Sequence, residues 1–438
     1  MLRLRKICLG IGAVSLIAMI IGLILANIAL WLPAMVCAAV TLAFGIGAVP
    51  AMASYQYTAW IIVAVVVAMA YPNAFLKWGA IDLRNKWLIL VIVQMVMFGM
   101  GIQMSLRDFS GLANTSKGVL IGLLCHFSVM PLMGFMLTKI FNFDPEIAAG
   151  IILIGSCSSG LASNVMVYLA RANLILSVTV TAMATLAAPF LTPLLMRLLA
   201  GTLIEVKFVN MMMEIIKIVI VPIGAALLHD YLKGANAEAK RNVIIIAVFC
   251  AIWLIAQASG MWIWMASQLS DAMMQSVQLF NFFAGAFIIG TVYHQLYTKN
   301  KNIDKRIPYL SMFGIVYFTT VTTAAGRDNL LHVGVLLFIA SVIHNGAGYF
   351  FGYWLSRIFG LDKNSARTVA FEVGLQNGGM ASGLAGSMGK LATVGLAPAV
   401  FSPWMNISGS ILANYWRRRP QEDGSKSQES RVRNQDKN

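Results

Sequence analysis

The chain has 438 residues, of which 59% are apolar and only 11% charged. Soluble domains carry about 25% charged residues, so this composition excludes an ordinary soluble protein. The formal charge of +15 would suit nucleic acid, but the basic residues sit in short loops and at the termini, where membrane topology needs them, which excludes that partner.

Apolar runs of bilayer-spanning length recur from end to end. In chain order they predict helices over 8–29, 31–51, 56–75, 87–105, 117–140, 146–170, 173–200, 208–231, 241–262, 276–298, 307–326, 331–358, 366–389 and 393–416, about 14 transmembrane helices in all. The first two divide around residues 30–33. The chain begins MLRLRK and continues apolar with no small-x-small cleavage signal, so the first helix reads as retained and as the insertion signal. With the N-terminus in the cytoplasm, 23 Lys and Arg fall on the cytoplasmic side and 8 on the other, Lys217 being inside a span. An even count brings the C-terminus back to the cytoplasm. Residues 417–438 are polar and charged and read as a disordered cytoplasmic tail. Cys8, Cys37, Cys125, Cys157 and Cys250 are scattered without a CxxC pair, which supports neither a disulfide framework nor a zinc site.

One carboxylate, Glu372, lies deep in an apolar stretch. At membrane depth an ionisable group costs about 2.5–3.5 kcal/mol on insertion scales, so it persists only with compensation. Gln376, four residues on, shares its helical face, and glycines at 374, 378 and 379 let the backbone open and expose carbonyls. Carboxylate, amide and free carbonyls make a site for a hard cation. A lysine partner, or protonation with hydrogen bonding, would also keep the acid in place. The run GSCSSGLASN at 155–164 is a second interruption inside a span, in the other half of the chain. Paired interruptions of this kind point to a binding site at mid-membrane depth.

Glu214 and Lys217 lie three apart on one helical face and pair with each other. His229, His294 and His332 fall near predicted span ends. The WIWM run at 262–265 faces lipid or the interface. There is no HExxH, Walker A or suitably placed GxSxG, so an enzymatic reading has no support.

These motifs carry a resemblance. The run 155–164, followed by YLARAN at 168–173 and SVTVT at 177–181, resembles the first crossing helix of the bile acid:sodium symporter family. FEVGLQN at 371–377 resembles its second, and FGMG at 98–101, HNGAGY at 344–349 and NISGS at 406–410 match in order. The resemblance covers about 56–231 and 305–416. It implies an all-α polytopic membrane protein of two inverted five-helix repeats, with a panel domain and a core domain in which two discontinuous helices cross and bind two sodium ions. The chain then divides into an extra N-terminal helix pair (1–52), the first repeat and start of the second (56–231), an inserted helix pair (241–298), the rest of the second repeat (305–416) and the tail (417–438).

Carried over by motif, the first Na+ is held by Ser163, Asn164, Ser177, Thr181 and Glu372. Ser177 and Thr181 share a helical face; hydroxyls bonding back to their own helix are the alternative reading. The second Na+ uses Glu372, Gln376 and carbonyls near Val373 and Leu375. The family's glutamine in the segment 125–131 is His126 here. An imidazole is a poor sodium ligand, which puts the second ion in question and admits a role for protons. The family's Pro-Gly-Gly-Thr at the first break is SSGL at 158–161, so Leu161 lacks the hydroxyl that meets substrate. Asn377 and Asn406 are candidate substrate contacts by the same analogy.

The expectation is a non-enzymatic sodium symporter for a small organic anion, a bile acid or a pantoate- or pantothenate-like carboxylate, in the plasma or inner membrane of a bacterium. The lipid bilayer and the substrate are its partners, with no obligate protein partner. Proton-coupled or uncoupled carriage in the same fold, and a non-transporting sensor or scaffold, are the alternatives.

Overall fold

A computed structural model describes residues 2–49, 52, 55–110 and 112–419 of the chain. Of the tail expected over 417–438, Arg417 ends the last helix, and the residues beyond 419 lie outside the described residues. The protein is an all-α, multi-pass membrane protein, apart from a two-residue antiparallel ladder, Lys77–Trp78 with Ile81–Asp82, at one loop. Among the described residues nine helices are long and apolar enough to cross a membrane.

The first helices are α1 (Leu2–Ile24), α2 (Ile28–Gly45), α3 (Gln56–Ala70) and α4 (Lys86–Gly101). The break between α1 and α2 lies at residues 25–27, earlier than the 30–33 expected. Asn27 sets it: its side chain accepts from the Ala29 N–H at 3.0 Å and caps α2. Pro33 is carried inside α2. A short α5 (Leu106–Ser110) leads to α6 (Leu112–Phe141).

The predicted span 146–170 is two helices, α7 (Pro145–Ser156) and α8 (Leu161–Leu169), and α9 (Leu174–Ala200) follows. Next come α10 (Phe208–Ile215) and α11 (Val221–Gly234), joined through a π-turn at Ile216–Ile220. Then come α12 (Ala237–Ala256), a kink at Gly260 (φ 111°), α13 (Trp262–Gln268) and α14 (Asp271–Lys299). Then follow α15 (Ile303–Ala325), α16 (Arg327–Ile358), α17 (Lys363–Gly374), α18 (Gly378–Ser387) and α19 (Leu396–Arg417).

The 12 residues of α7, at about 1.5 Å each, fall short of a hydrocarbon core of about 30 Å. Such a helix belongs inside the protein, and every residue of α7 from Ile147 to Ser156 is buried. So is every residue of α17 from Ser365 to Gly374. The packing around them is inverted-repeat-like: α6 lies against α7 and α9, α16 lies against α17 and α19, and α6 packs on α16. α1 packs on α2, which packs on α3; α12 packs on α14, which reaches α11 and α15. α1 and α12 expose rows of large apolar residues, including Ile17, Ile24, Phe249 and Ile255, the character of a lipid-facing surface. Ile263 and Trp264 of α13 are exposed likewise.

Candidate ion and substrate site

The two interruptions meet. Between α7 and α8, and between α17 and α18, the chain is extended, and Ser159 pairs with Gln376 as an antiparallel bridge. The Gly160 N–H donates to the Leu375 carbonyl at 3.1 Å and the Asn377 N–H to the Ser158 carbonyl at 2.8 Å. Helix ends leave N–H and C=O groups without partners, which is costly away from water. Here each break supplies what the other lacks. Gly374 permits the close approach of α16 to the second break: a Cβ there would sit 2.4 Å from the Tyr349 ring.

Glu372, two residues before the end of α17, is fully buried. Its Oε1 accepts from Ser177 Oγ at 2.5 Å, and its Oε2 from Thr181 Oγ1 at 2.8 Å and Ser159 Oγ at 2.7 Å. Asn164 Oδ1, in the first turn of α8, lies 2.7 Å from Ser177 Oγ and 3.2 Å from Thr181 Oγ1. Ser163 Oγ donates to the Gly160 carbonyl at 2.7 Å and lies 3.5 Å from Thr181 Oγ1. Segments far apart in sequence thus bring Ser163, Asn164, Ser177, Thr181 and Glu372 together. Ser159 joins them although sequence reasoning had not singled it out; the serine-rich run at 155–164 was its only signal.

A hydroxyl has a single proton. Ser177 and Thr181 each face two acceptors, the carboxylate and the amide oxygen, and can donate to only one. Oxygen acceptors therefore outnumber protons around a formal negative charge, and this donor set suits a small hard cation. Among the described residues no three His, Cys, Asp or Glu side chains gather as a transition-metal site.

Around Gln376 the arrangement differs. Its Nε2 donates to the Val373 carbonyl at 2.8 Å, while its Oε1 is buried without a partner. The Leu375 carbonyl is taken by Gly160, and that of Gly374 by Asn345 Nδ2 at 2.7 Å. His126 is fully buried. Its Nδ1 is 2.9 Å from the Glu372 carbonyl and its Nε2 2.8 Å from the Cys157 carbonyl. Both carbonyls only accept, so an imidazolium serves both and a neutral ring serves one. The ring joins the C-terminal ends of α7 and α17 and has no nitrogen left over for an ion.

Asn377 Oδ1 caps α18 by accepting from the Met380 N–H at 3.0 Å, and its Nδ2 meets Met100 Sδ at 3.5 Å. Asn406 Nδ2 donates back to the Ser402 carbonyl at 2.9 Å. Leu161 is the first residue of α8 and is partly buried against the main core. Glu146 pairs with Lys390 and accepts from Thr393 Oγ1 at 2.6 Å, tying the start of α7 to the segment between α18 and α19.

A second polar cluster was not foreseen. His229 and His294, near the ends of α11 and α14, are buried, their Nδ1 atoms 3.2 Å apart. Asp304 accepts from Tyr293 OH at 2.7 Å and pairs with Lys233 at 3.0 Å, next to His229 Nε2 at 3.5 Å. The cluster fastens α14 to α11 and α15. Its members come from three separate helices, with no shared spacing to reveal them.

The comparisons with known proteins agree with this architecture. Residues 90–269 match the model of the Sodium Bile acid symporter family. The chain is 30% identical over 381 residues to the uncharacterized sodium-dependent transporter YocS of Bacillus subtilis (strain 168), covering 86% of this chain and 95% of that one. It is 29% identical over 366 residues to the probable chloroplastic sodium/metabolite cotransporter BASS1 of Arabidopsis thaliana, covering 83% of this chain and 74% of that one. With the ileal sodium/bile acid cotransporter of Homo sapiens it shares 26% over 293 residues, 66% of this chain and 65% of that one. Among solved structures the sodium proton antiporter MjNhaP1 of Methanocaldococcus jannaschii superposes with a TM-score of 0.53 at 11% identity, over 88% of this chain and 97% of that one, a likeness of fold alone. On the family match and the extended identity to YocS, the chain belongs to the sodium bile acid symporter family, a family of membrane transporters and not of enzymes.

Proposed function

We propose that this protein is a sodium-coupled symporter of a small organic anion, with Na+ carried between Glu372, Asn164, Ser177, Thr181 and Ser163. The observation that carries the reading is the buried Glu372 carboxylate ringed by more oxygen acceptors than protons. A monovalent cation supplies the missing positive charge. Without it, the Asn164 amide can turn to offer Nδ2 donors, and Ser177 and Thr181 are then both free to donate to Glu372. The two states differ in how α8, α9 and α17 are held together. An ion that favours one of them shifts the whole equilibrium, which is what coupling requires.

In this reading α7–α8 and α17–α18 are the two discontinuous crossing helices of a pair of inverted five-helix repeats. The C-terminal ends of α7 and α17 favour the cation and the N-terminal ends of α8 and α18 favour the anion. α1–α2 and α12–α14 are additions at the edge of that fold. The unpartnered Gln376 Oε1 is the side-chain oxygen open to a second sodium. The protein sits in a bacterial inner membrane with both termini in the cytoplasm. The names of the relatives, transporters of sodium with bile acid or other metabolites, support an organic substrate.

The proton-coupled reading draws on one observation, the two carbonyls that His126 faces, which an imidazolium satisfies best. Reconstitution in proteoliposomes separates the two. An inward sodium gradient should drive uptake of pantoate or taurocholate at uniform pH. Uptake driven by a pH gradient alone, without sodium, would replace the sodium reading with the proton one.

A further inference from the structure

A cavity of about 320 Å³ lies away from the ion site, between α4, the π-turn at Ile216–Ile220, α14 and α18. Two ammonium groups line it. Lys217, on the π-turn, is only 9% exposed. Its Nζ is 3.1 Å from Glu214 Oε1 and 3.3 Å from Gln278 Oε1, and 5.6 Å from the centre of the Phe282 ring. Lys86, at the start of α4, is exposed and also lines the cavity. π-turns recur at functional positions because the extra residue re-aims a side chain out of the regular helical face.

We propose that this cavity binds a compact organic carboxylate on its way through the protein, with Lys217 as its main counter-charge. The proposal rests on the transport reading above and narrows its substrate class. Two lysines against one glutamate leave a net positive charge, which one carboxylate neutralises. The ligand carboxylate takes over part of what Glu214 and Gln278 now give Lys217. Phe282 and the leucine and valine side chains of α4 supply an apolar wall. Such a mixture of few polar groups on an apolar lining is typical of small-molecule sites, whose volumes run from about 300 to 1,000 Å³. This volume is at the lower end, so it suits a short branched or hydroxylated acid rather than a four-ring steroid acid.

The position connects the cavity to the ion site. Gly383 and Ser387, which line it, belong to α18, which restarts the chain immediately after the break beside Glu372. A ligand held there touches the element whose start is fixed by the crossing. Gln278 and Phe282 belong to the inserted α14, so the insertion itself shapes the ligand site.

The test is isothermal titration of the full-length detergent-purified protein with pantoate in sodium buffer, with taurocholate in parallel. Wild type should bind pantoate and not be blocked from doing so by taurocholate. Lys217→Met should weaken pantoate binding at least about tenfold and Lys217→Arg by no more than about threefold, while Glu214→Gln, which removes the competing carboxylate, should tighten it. Lys217→Met must keep its sodium-induced rise in melting temperature, which shows that it is folded. If that variant does not fold, Glu214→Gln decides alone, and an unchanged affinity overturns the proposal. Pantoate binding that Lys217→Met leaves intact also overturns it, as does a wild type that responds to sodium but does not bind pantoate. A wild type without any response to sodium strikes the ion reading instead.

Discussion

Ser159 and Gln376 lie opposite each other as an antiparallel backbone pair at the point where two helices are interrupted. Neither residue is remarkable alone. Together they let two chain breaks exist inside a buried core, because the N–H and C=O groups released by one break are taken up by the other. The same pairing delivers Ser159 Oγ to Glu372, so the backbone arrangement and the carboxylate cage are parts of one device.

Ser159→Ala should therefore tighten sodium without removing transport. One donor to the carboxylate is lost, worth about 1.5–3 kcal/mol for a charged acceptor, and the sodium-free state, with no cation to offset the carboxylate, loses more by it than the sodium-bound one. The half-saturating sodium concentration should fall, with the rate at saturating sodium near wild type. Sodium titration of uptake in proteoliposomes measures both quantities.

His126 adds a pH dependence with a definite sign. Protonation as pH falls completes both carbonyl contacts but places a positive charge beside Glu372. The half-saturating sodium concentration should rise as pH falls. His126→Gln removes the titrating group and restores an amide oxygen, so the pH profile should flatten and the sodium dependence steepen. A wild-type curve that is flat with pH and unchanged in His126→Gln would leave the ring a packing element only.

Gly374→Ala should destabilise the protein by about 1–3 kcal/mol, because its methyl group meets the Tyr349 ring in a packed interior. Adding Tyr349→Leu should return part of that loss, since the two residues are in contact. Thermal melting of the single and double variants in detergent reads the compensation.

Reporter fusions after Arg419 and within the loop that follows α14 at Asn300 should both report cytoplasm. This rests on the distribution of basic residues and on an even number of crossings before each point. An external signal from Asn300 would show that α12–α14 do not cross as a pair.

The helical segments were readable in the sequence because the bilayer imposes their length and apolar character, and Glu372 stood out because an acid is costly there. The Asn27 cap was also visible in principle, as an asparagine placed just before an apolar run, but the proline at 33 drew the boundary away from it. The contacts of His126 with the Glu372 and Cys157 carbonyls carry no sequence signal, because any residue supplies a carbonyl. The His229–His294–Asp304 cluster was hidden for a related reason: three helices converge on it, and one belongs to a segment outside the family motifs. The π-turn at Ile216–Ile220 carries no residue signature, so from the sequence Lys217 reads only as half of an ion pair with Glu214.

The most direct measurement is the melting temperature of purified protein as sodium chloride replaces potassium chloride at constant ionic strength. Sodium at about one hundred times its dissociation constant should stabilise wild type by about 2.7 kcal/mol. Glu372→Gln and Asn164→Ala should melt as cooperatively as wild type in potassium and gain nothing from sodium. Equal melting of wild type in the two salts, or a full sodium gain in Glu372→Gln, would contradict the account.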